Sequence, residues 1–241
     1  MLELRNISFK SGDRYVLEDV NQVFITGYTY VITGITGGGK SLLMKILGGI
    51  TKPTEGLVML NGKSLYTSSR DQCLKNKIGF VFQNGVFLSN LSIIDNLFLP
   101  VHYLCPHFDK RDVNETIEKL FNDLNISMDI LSKRPSDVSY SDKKIINFIR
   151  AFLIDPDYYL INSPLFNLDF GNINKITTFI RQIKEEGKTI IMTTNSRKLI
   201  DRFADHVILL NRGKISFIIP ASQFLTTQDP NITEYISQHI G

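Results

Sequence analysis

Cysteine is scarce in this chain, long apolar runs are missing, and neither sign of charge dominates. The two cysteines, Cys73 and Cys105, form no C-x-x-C pair and share no zinc-type spacing with histidine. They could pair with each other; buried or idle thiols in a reducing cytosol are the expectation. The four histidines, His102, His107, His206 and His239, are scattered, and structural or surface roles are the default. No stretch approaches the roughly 20 apolar residues that span a bilayer, so membrane contact is expected only through a partner. The opening MLELRNISFK alternates as a strand does and does not read as a signal peptide. A formal charge of +3 gives no argument for nucleic acid. Lys143-Lys144 and Lys184-Glu185-Glu186 are assigned to solvated surface. There is no internal repeat, low-complexity tract or evident linker. The 241 residues, 43% hydrophobic and 21% charged, suit one substantial core with a small inserted subdomain.

Against these absences stands one complete motif. Gly34-Ile35-Thr36-Gly37-Gly38-Gly39-Lys40-Ser41 fits G-x-x-x-x-G-K-S. An apolar run, residues 28–33 (YTYVIT), precedes it as a buried strand; residues 41–47, with Leu42 in the first turn, follow as a helix. Glycines let successive backbone N–H groups face phosphate oxygens with no side chain in the way. The helix presents its positive end to the same anion. Lys40 is placed to reach the outer phosphates, and the Ser41 hydroxyl to bind Mg²⁺.

Residues 2–9 and 16–25 read as antiparallel strands around Ser11-Gly12-Asp13. Residues 57–60 with Asn61-Gly62 predict a second hairpin, and residues 78–82 a short buried strand ending at Gln83. Residues from about 89 to 150 read as mostly helical: in 113–124, Val113, Ile117, Leu120, Phe121 and Leu124 recur at helical spacing, and 145–153 suit a buried helix. Strand 158–161, helix 173–184, strand 189–193, helix 197–202 and strand 207–210 then alternate, which predicts a parallel sheet covered by helices. The expectation is an α/β phosphate-loop (P-loop NTPase) core with a mixed, largely parallel sheet, an antiparallel β subdomain and a helical subdomain inserted at about 88–150. A short C-terminal helical segment, about 221–241, completes a single domain over 1–241.

The series extends beyond the loop. Residues 16–20 (VLEDV), 41–50, 52–56 (KPTEG), 78–83 (IGFVFQ), 187–192 (GKTIIM), 204–210 (ADHVILL) and Asn211-Arg212-Gly213 are collinear with one family. Over nearly its whole length the chain resembles the nucleotide-binding subunits of ABC transporters. The resemblance implies ATP and Mg²⁺ as ligands, with Ser41 and Gln83 toward the metal. It implies a second ABC domain as partner, in a homo- or heterodimer that sandwiches two ATP molecules, each between one domain's loop and the other's signature motif. It further implies a membrane permease docked near Gln83 and a place on the inner face of the cell membrane. A narrower resemblance, at residues 82–89 with 92–96 and at 228–241, is to the ATPases of Mla/Mce-type lipid transport systems, in which the C-terminal segment helps two ATPase domains hold each other.

The chain departs from the family at its acidic positions. After strand 158–161 the family has Asp-Glu; here stand Asn162 and Ser163. In the family the aspartate orders Mg²⁺ through water and the glutamate polarises the attacking water. Asn162 keeps one acceptor but no charge, and Ser163 is too short and too weakly basic to replace a carboxylate. The switch histidine falls at Asn195. The signature, usually Leu-Ser-Gly-Gly-Gln, reads Val138-Ser139-Tyr140-Ser141-Asp142. Ser139 keeps the hydroxyl that in the family meets the partner's terminal phosphate, while Tyr140 and Asp142 add bulk and negative charge. Leu168-Asp169 retains the D-loop ending. The adenine-stacking aromatic maps onto Ser11, with Phe9 or Tyr15 as substitutes. The expectation is a subunit that binds ATP but has lost its hydrolytic groups. The alternatives are an active transport ATPase with an unusual base, and a nucleotide-gated assembly or regulatory subunit of a membrane or envelope complex.

Overall fold

The computed structural model describes residues 1–66, 77–105 and 107–241. Two sheets and a set of helices share two adjoining cores. The smaller sheet has the order β2-β1-β4-β5, all antiparallel, from β1 (Leu2–Ser11), β2 (Arg14–Phe24), β4 (Glu55–Leu60) and β5 (Lys63–Ser64). Its tightest hairpin follows from its turn residues. Asn61 and Gly62 take φ +50 and +79 between Leu60 and Lys63, the left-handed pair whose twist matches the flanking strands.

The larger sheet has the order β10-β9-β3-β8-β7-β6. It comprises β3 (Thr29–Thr33), β6 (Ile78–Val81), β7 (Tyr158–Asn162), β8 (Thr189–Thr193), β9 (His206–Asn211) and β10 (Lys214–Pro220). All neighbours are parallel except β10, which returns antiparallel to β9. Every residue of β3, β7 and β8 is buried, as expected for strands covered on both faces. Their side chains alternate between the cores. Val31, Tyr159, Ile161, Ile190 and Met192 face the helical side; Tyr30, Ile32, Tyr158, Leu160 and Ile191 face the small sheet and α1 (Lys40–Leu47).

The helical side holds α2 (Ile93–Leu104), α3 (Lys110–Asp123), α4 (Tyr140–Phe152), α5 (Phe170–Glu185) and α6 (Arg197–Phe203). Two short 3₁₀ turns, Met128–Ser132 and Pro135–Asp137, link α3 to α4. Capping fixes several starts: Ser92, Asp109, Ser139 and Asp169 each accept a backbone N–H from the first turn they precede. Asn96, buried within α2, bonds the backbone of Leu88 and Ser92 and staples the preceding loop. The chain closes with α7 (Ala221–Phe224) and α8 (Pro230–His239). No described helix is long and apolar enough to cross a membrane.

Three sequence readings change. Strand β10 was not anticipated; it grows from a second left-handed pair, Arg212 and Gly213 at φ +47 and +79. Helix α4 begins at Tyr140, five residues before the predicted start, because Ser139 caps it. Lys144 does not lie on a solvated surface: it is fully buried on the face that also carries Phe148 and Ala151. Cys105 is half-buried, and its pairing with Cys73 lies outside the described residues.

Candidate functional site

The loop between β3 and α1 wraps the start of α1. Gly39 precedes the helix at φ +94, and no acidic side chain occupies the helix's first turn. Gly34 has φ +156, and a Cβ there would collide with the Leu210 carbonyl of β9, so the loop can lie against the sheet only with glycine here. A cavity of about 410 Å³ opens above it, lined by Val16, Thr36, Gly37, Gly38, Gly39, Lys40, Ser41, Leu42, Gln83, Ser163 and Phe166. Among these described residues Lys40 is the one charged side chain. Its ammonium donates to the carbonyls of Gly34 at 2.7 Å and Ile35 at 2.8 Å, and burial lowers its pKa. Cation, helix N-terminus and glycine N–H groups together make an anion receptor.

Beneath Ser41 lies a neutral layer. The Ser41 hydroxyl donates to Asn162 Oδ1 at 3.3 Å, and the Thr193 hydroxyl donates to the same oxygen at 2.7 Å. Ser163 takes φ +49, a sparsely allowed conformation for a residue with a side chain. Its N–H faces Thr193 O at 3.1 Å and Thr193 Oγ1 at 3.0 Å, and its carbonyl accepts from Lys144 Nζ at 3.1 Å. Lys144 also donates to Phe166 O at 2.7 Å, and burial pushes its pKa down to about 8. Sequence reasoning missed this lysine; the available clue was its i, i+4, i+7 spacing with Phe148 and Ala151.

Asn195 lies on the other flank. Its Oδ1 accepts from the Thr33 hydroxyl at 2.9 Å, and its Nδ2 donates to Gly34 O at 3.2 Å. Thr33 Oγ1 is also 2.8 Å from the Tyr235 hydroxyl of α8. Asn195, Thr36, Lys40, Ser163, Phe166 and Gly241 border a further cavity of about 390 Å³ beside the first.

The fold thus lines two adjoining cavities with Thr36 through Leu42, Gln83, Ser163 and Asn195, while Gly34 and Ile35 bond Lys40 and Asn162 bonds Ser41. Ser139 and Tyr15 stand outside these cavities. Ser139 Oγ donates to Asp142 Oδ2 at 2.7 Å within its own cap. Tyr15 is exposed on the β1–β2 hairpin, with Lys10 Nζ 4.6 Å from its ring centre; its neighbour Val16 reaches the cavity instead. Tyr140 is turned back on its own domain, its hydroxyl 3.4 Å from Gln83 O and 3.2 Å from Asn84 Oδ1.

For a divalent cation the set is sparse. Among the described residues no three His, Cys, Asp or Glu side chains are grouped to hold a metal. Ser41, Gln83 and Asn162 offer neutral oxygens only, and Mg²⁺ normally takes one or two carboxylates besides phosphate oxygens. These residues fit a metal that arrives with a nucleotide whose phosphates supply the negative charge.

Comparison with known proteins shows the family and the fold. The family profile described as ABC transporter matches residues 17–165. The molybdenum import ATP-binding protein ModC of Photobacterium profundum is 34% identical over 214 residues, covering 87% of this chain and 57% of ModC. The energy-coupling factor transporter ATP-binding protein EcfA2 of Staphylococcus epidermidis is 27% identical, covering 86% of this chain and 74% of EcfA2. The chain spans only a third, 33%, of the macrolide export ATP-binding/permease protein MacB of Bartonella henselae, at 29% identity. The dimeric, post-hydrolysis structure of the ATP-binding cassette MJ0796 with ADP and phosphate superposes with a TM-score of 0.82 at 25% identity, over 92% of this chain and 99% of that one. With an intact phosphate loop on this fold and a family match across more than half its length, the chain belongs to the ABC transporter family as an ATP-binding cassette.

Proposed function

We propose that this chain is the nucleotide-holding subunit of a transport complex, binding ATP at the 34–41 loop and hydrolysing it slowly or not at all. One observation carries the reading: among the described residues, every side chain lining the two loop cavities is neutral except Lys40. Asn162 and Ser163 stand where the resemblance implies a metal-ordering aspartate and a water-polarising glutamate, and Asn195 stands for the histidine. Loss of a positioned general base removes about 10²–10⁴-fold in rate. The anion receptor is unaffected, because its N–H groups and Lys40 do not depend on those carboxylates. Bound Mg²⁺ would supply charge neutralisation of the phosphates; Ser41 and Gln83 would face it. Lys40, the loop amides and Asn195 orient the terminal phosphate.

Two exposed regions support partners. Beside Phe82 an open apolar groove of about 460 Å³ is lined by Phe80, Phe82, Leu99, Pro100, Tyr103 and Arg150, with Tyr103 58% exposed. It suits an apolar segment of a membrane permease docked near Gln83. Phe166 lines the loop cavity, and Phe170, 73% exposed, begins α5 four residues on; a second ABC domain would cover them. For cargo, the resemblance at residues 82–89 with 92–96 and at 228–241 supports a lipid.

Equilibrium binding of labelled ATP, with phosphate release measured in parallel, tests the reading. Saturable binding with negligible turnover is expected. No binding at millimolar ATP overturns it. Turnover typical of a transport ATPase, abolished by Lys40→Ala, overturns its second half and assigns the base elsewhere.

A further inference from the structure

Helix α8 is fastened to the domain that precedes it. Asp229 caps it, Pro230 starts it, Ile232 is buried, and Tyr235, Ile236 and Ile240 pack on the helical-side core. Two attachments then run from this segment to the switch loop between β8 and α6. The first is backbone. Gly241 N donates to Asn195 O at 3.2 Å, and Gly241 O accepts from Arg197 N at 2.6 Å. Helix α6 has no side-chain cap, so the Gly241 carbonyl serves one of its open first-turn amides.

The second attachment is a side-chain relay whose direction can be deduced. The Gly34 carbonyl only accepts, so the atom Asn195 points at it, at 3.2 Å, is Nδ2. Oδ1 therefore faces Thr33, whose single hydroxyl proton goes to it at 2.9 Å. That leaves the Tyr235 hydroxyl as the donor to Thr33 Oγ1 at 2.8 Å. The order is Tyr235 to Thr33 to Asn195 to Gly34, and the Gly34 carbonyl also holds Lys40 at 2.7 Å. Tyr235 and Thr33 are 202 residues apart in sequence. Thr33 is fully buried, so the relay works away from solvent, where hydrogen bonds are strong and an unmet partner is costly.

We propose that Tyr235 is a positioning residue for the switch asparagine. By fixing the donor order through Thr33, it holds the Asn195 amide with one N–H on Gly34 and its second N–H for a terminal phosphate. The C-terminal segment thereby sets how well this cassette distinguishes ATP from ADP. This rests on the nucleotide-holding function proposed above.

The test uses the full chain and its variants Tyr235→Phe, Asn195→Ala and the double variant. Dissociation constants for ATP and for ADP are measured by competition. Folding is checked by thermal unfolding, and the Asn195 side-chain amide is followed by ¹H–¹⁵N NMR. Wild type is expected to prefer ATP. Tyr235→Phe keeps the ring, and loss of one hydrogen bond should weaken ATP binding about 3–10-fold with ADP unchanged. The Asn195 amide signal should shift and broaden. The double variant should bind ATP as Asn195→Ala does, because the two act in series. Equal losses for ATP and ADP, additive losses in the double variant, or an unmoved amide signal would each reduce Tyr235 to a packing role and overturn the inference alone. A wild-type chain that binds neither nucleotide overturns the proposed function and this inference with it.

Discussion

Lys144 and Ser163 are tied together under the site: the buried ammonium of α4 donates at 3.1 Å to the carbonyl of the residue that follows β7. With the second bond to Phe166 at 2.7 Å, this lysine clamps the loop after β7 to the helix that follows Ser139. Ser163 stays at φ +49 because Thr193 holds its N–H while Lys144 holds its carbonyl.

Lys144→Met should therefore destabilise the fold. It leaves two part-buried carbonyls without their donor, at up to about 1–3 kcal/mol for each unmet group and less where water can reach it, partly offset by no longer burying a charge. A net loss of about 1–3 kcal/mol in urea unfolding is expected.

The same lysine gives a pH signature. Its pKa is about 8 in the folded chain against 10.5 for an ordinary lysine. Below pH 8 folded and unfolded chains both carry the proton, and the charge-burial penalty is complete. Between 8 and 10.5 only the unfolded chain binds it, so this group's contribution to stability rises with pH across that window. The neutral amine still has two N–H groups for its two carbonyls. The stability difference between wild type and Lys144→Met should widen in favour of wild type from pH 8 upward; a flat difference would refute the buried ammonium.

Lys40→Ala should cost ATP affinity without unfolding the chain. A charge-assisted hydrogen bond is worth about 1.5–3 kcal/mol, or roughly 10–100-fold. Calorimetric titration alongside a melting curve separates loss of ligand from loss of fold.

Asn162→Asp should make nucleotide binding metal-dependent. The Ser41 and Thr193 hydroxyls already donate to Oδ1, so a carboxylate is received without rearrangement. Chelating magnesium is expected to change wild-type affinity for ATP little and that of the variant by about tenfold or more. Equal effects in both would show that residue 162 does not govern the metal.

Tyr103→Asp places a charge in the apolar groove. If the groove docks the proposed permease, recovery of a co-purifying permease from native membranes should fall while ATP affinity is unchanged.

What could be read in the sequence was local or periodic. β8 coincides with its predicted bounds, residues 189–193, since the six residues between Lys188 and Asn195 are all apolar or β-branched and leave little choice. The Asn61-Gly62 hairpin and the 34–41 loop are set by residue types that few other conformations accept. β10 escaped because it is an edge strand of alternating exposed and half-buried positions, without the continuous apolar run of its neighbours. Lys144 escaped because its paired lysine suggested solvent, and only the start of α4 at Tyr140 decides which of the two points inward. The Tyr235–Thr33 contact has no local sign at all: it exists only once the sheet has brought the end of the chain beneath β3.

The Gly34 carbonyl, shared by Lys40 and Asn195, gives the cradle a counter-dipole of its own. An incoming anion must compete with this internal acceptor for the lysine. A singly charged ion offers little advantage in that exchange, whereas a polyphosphate engages the lysine and the neighbouring amides together. The cradle is in this way selective for extended polyanions over the small ones that surround it.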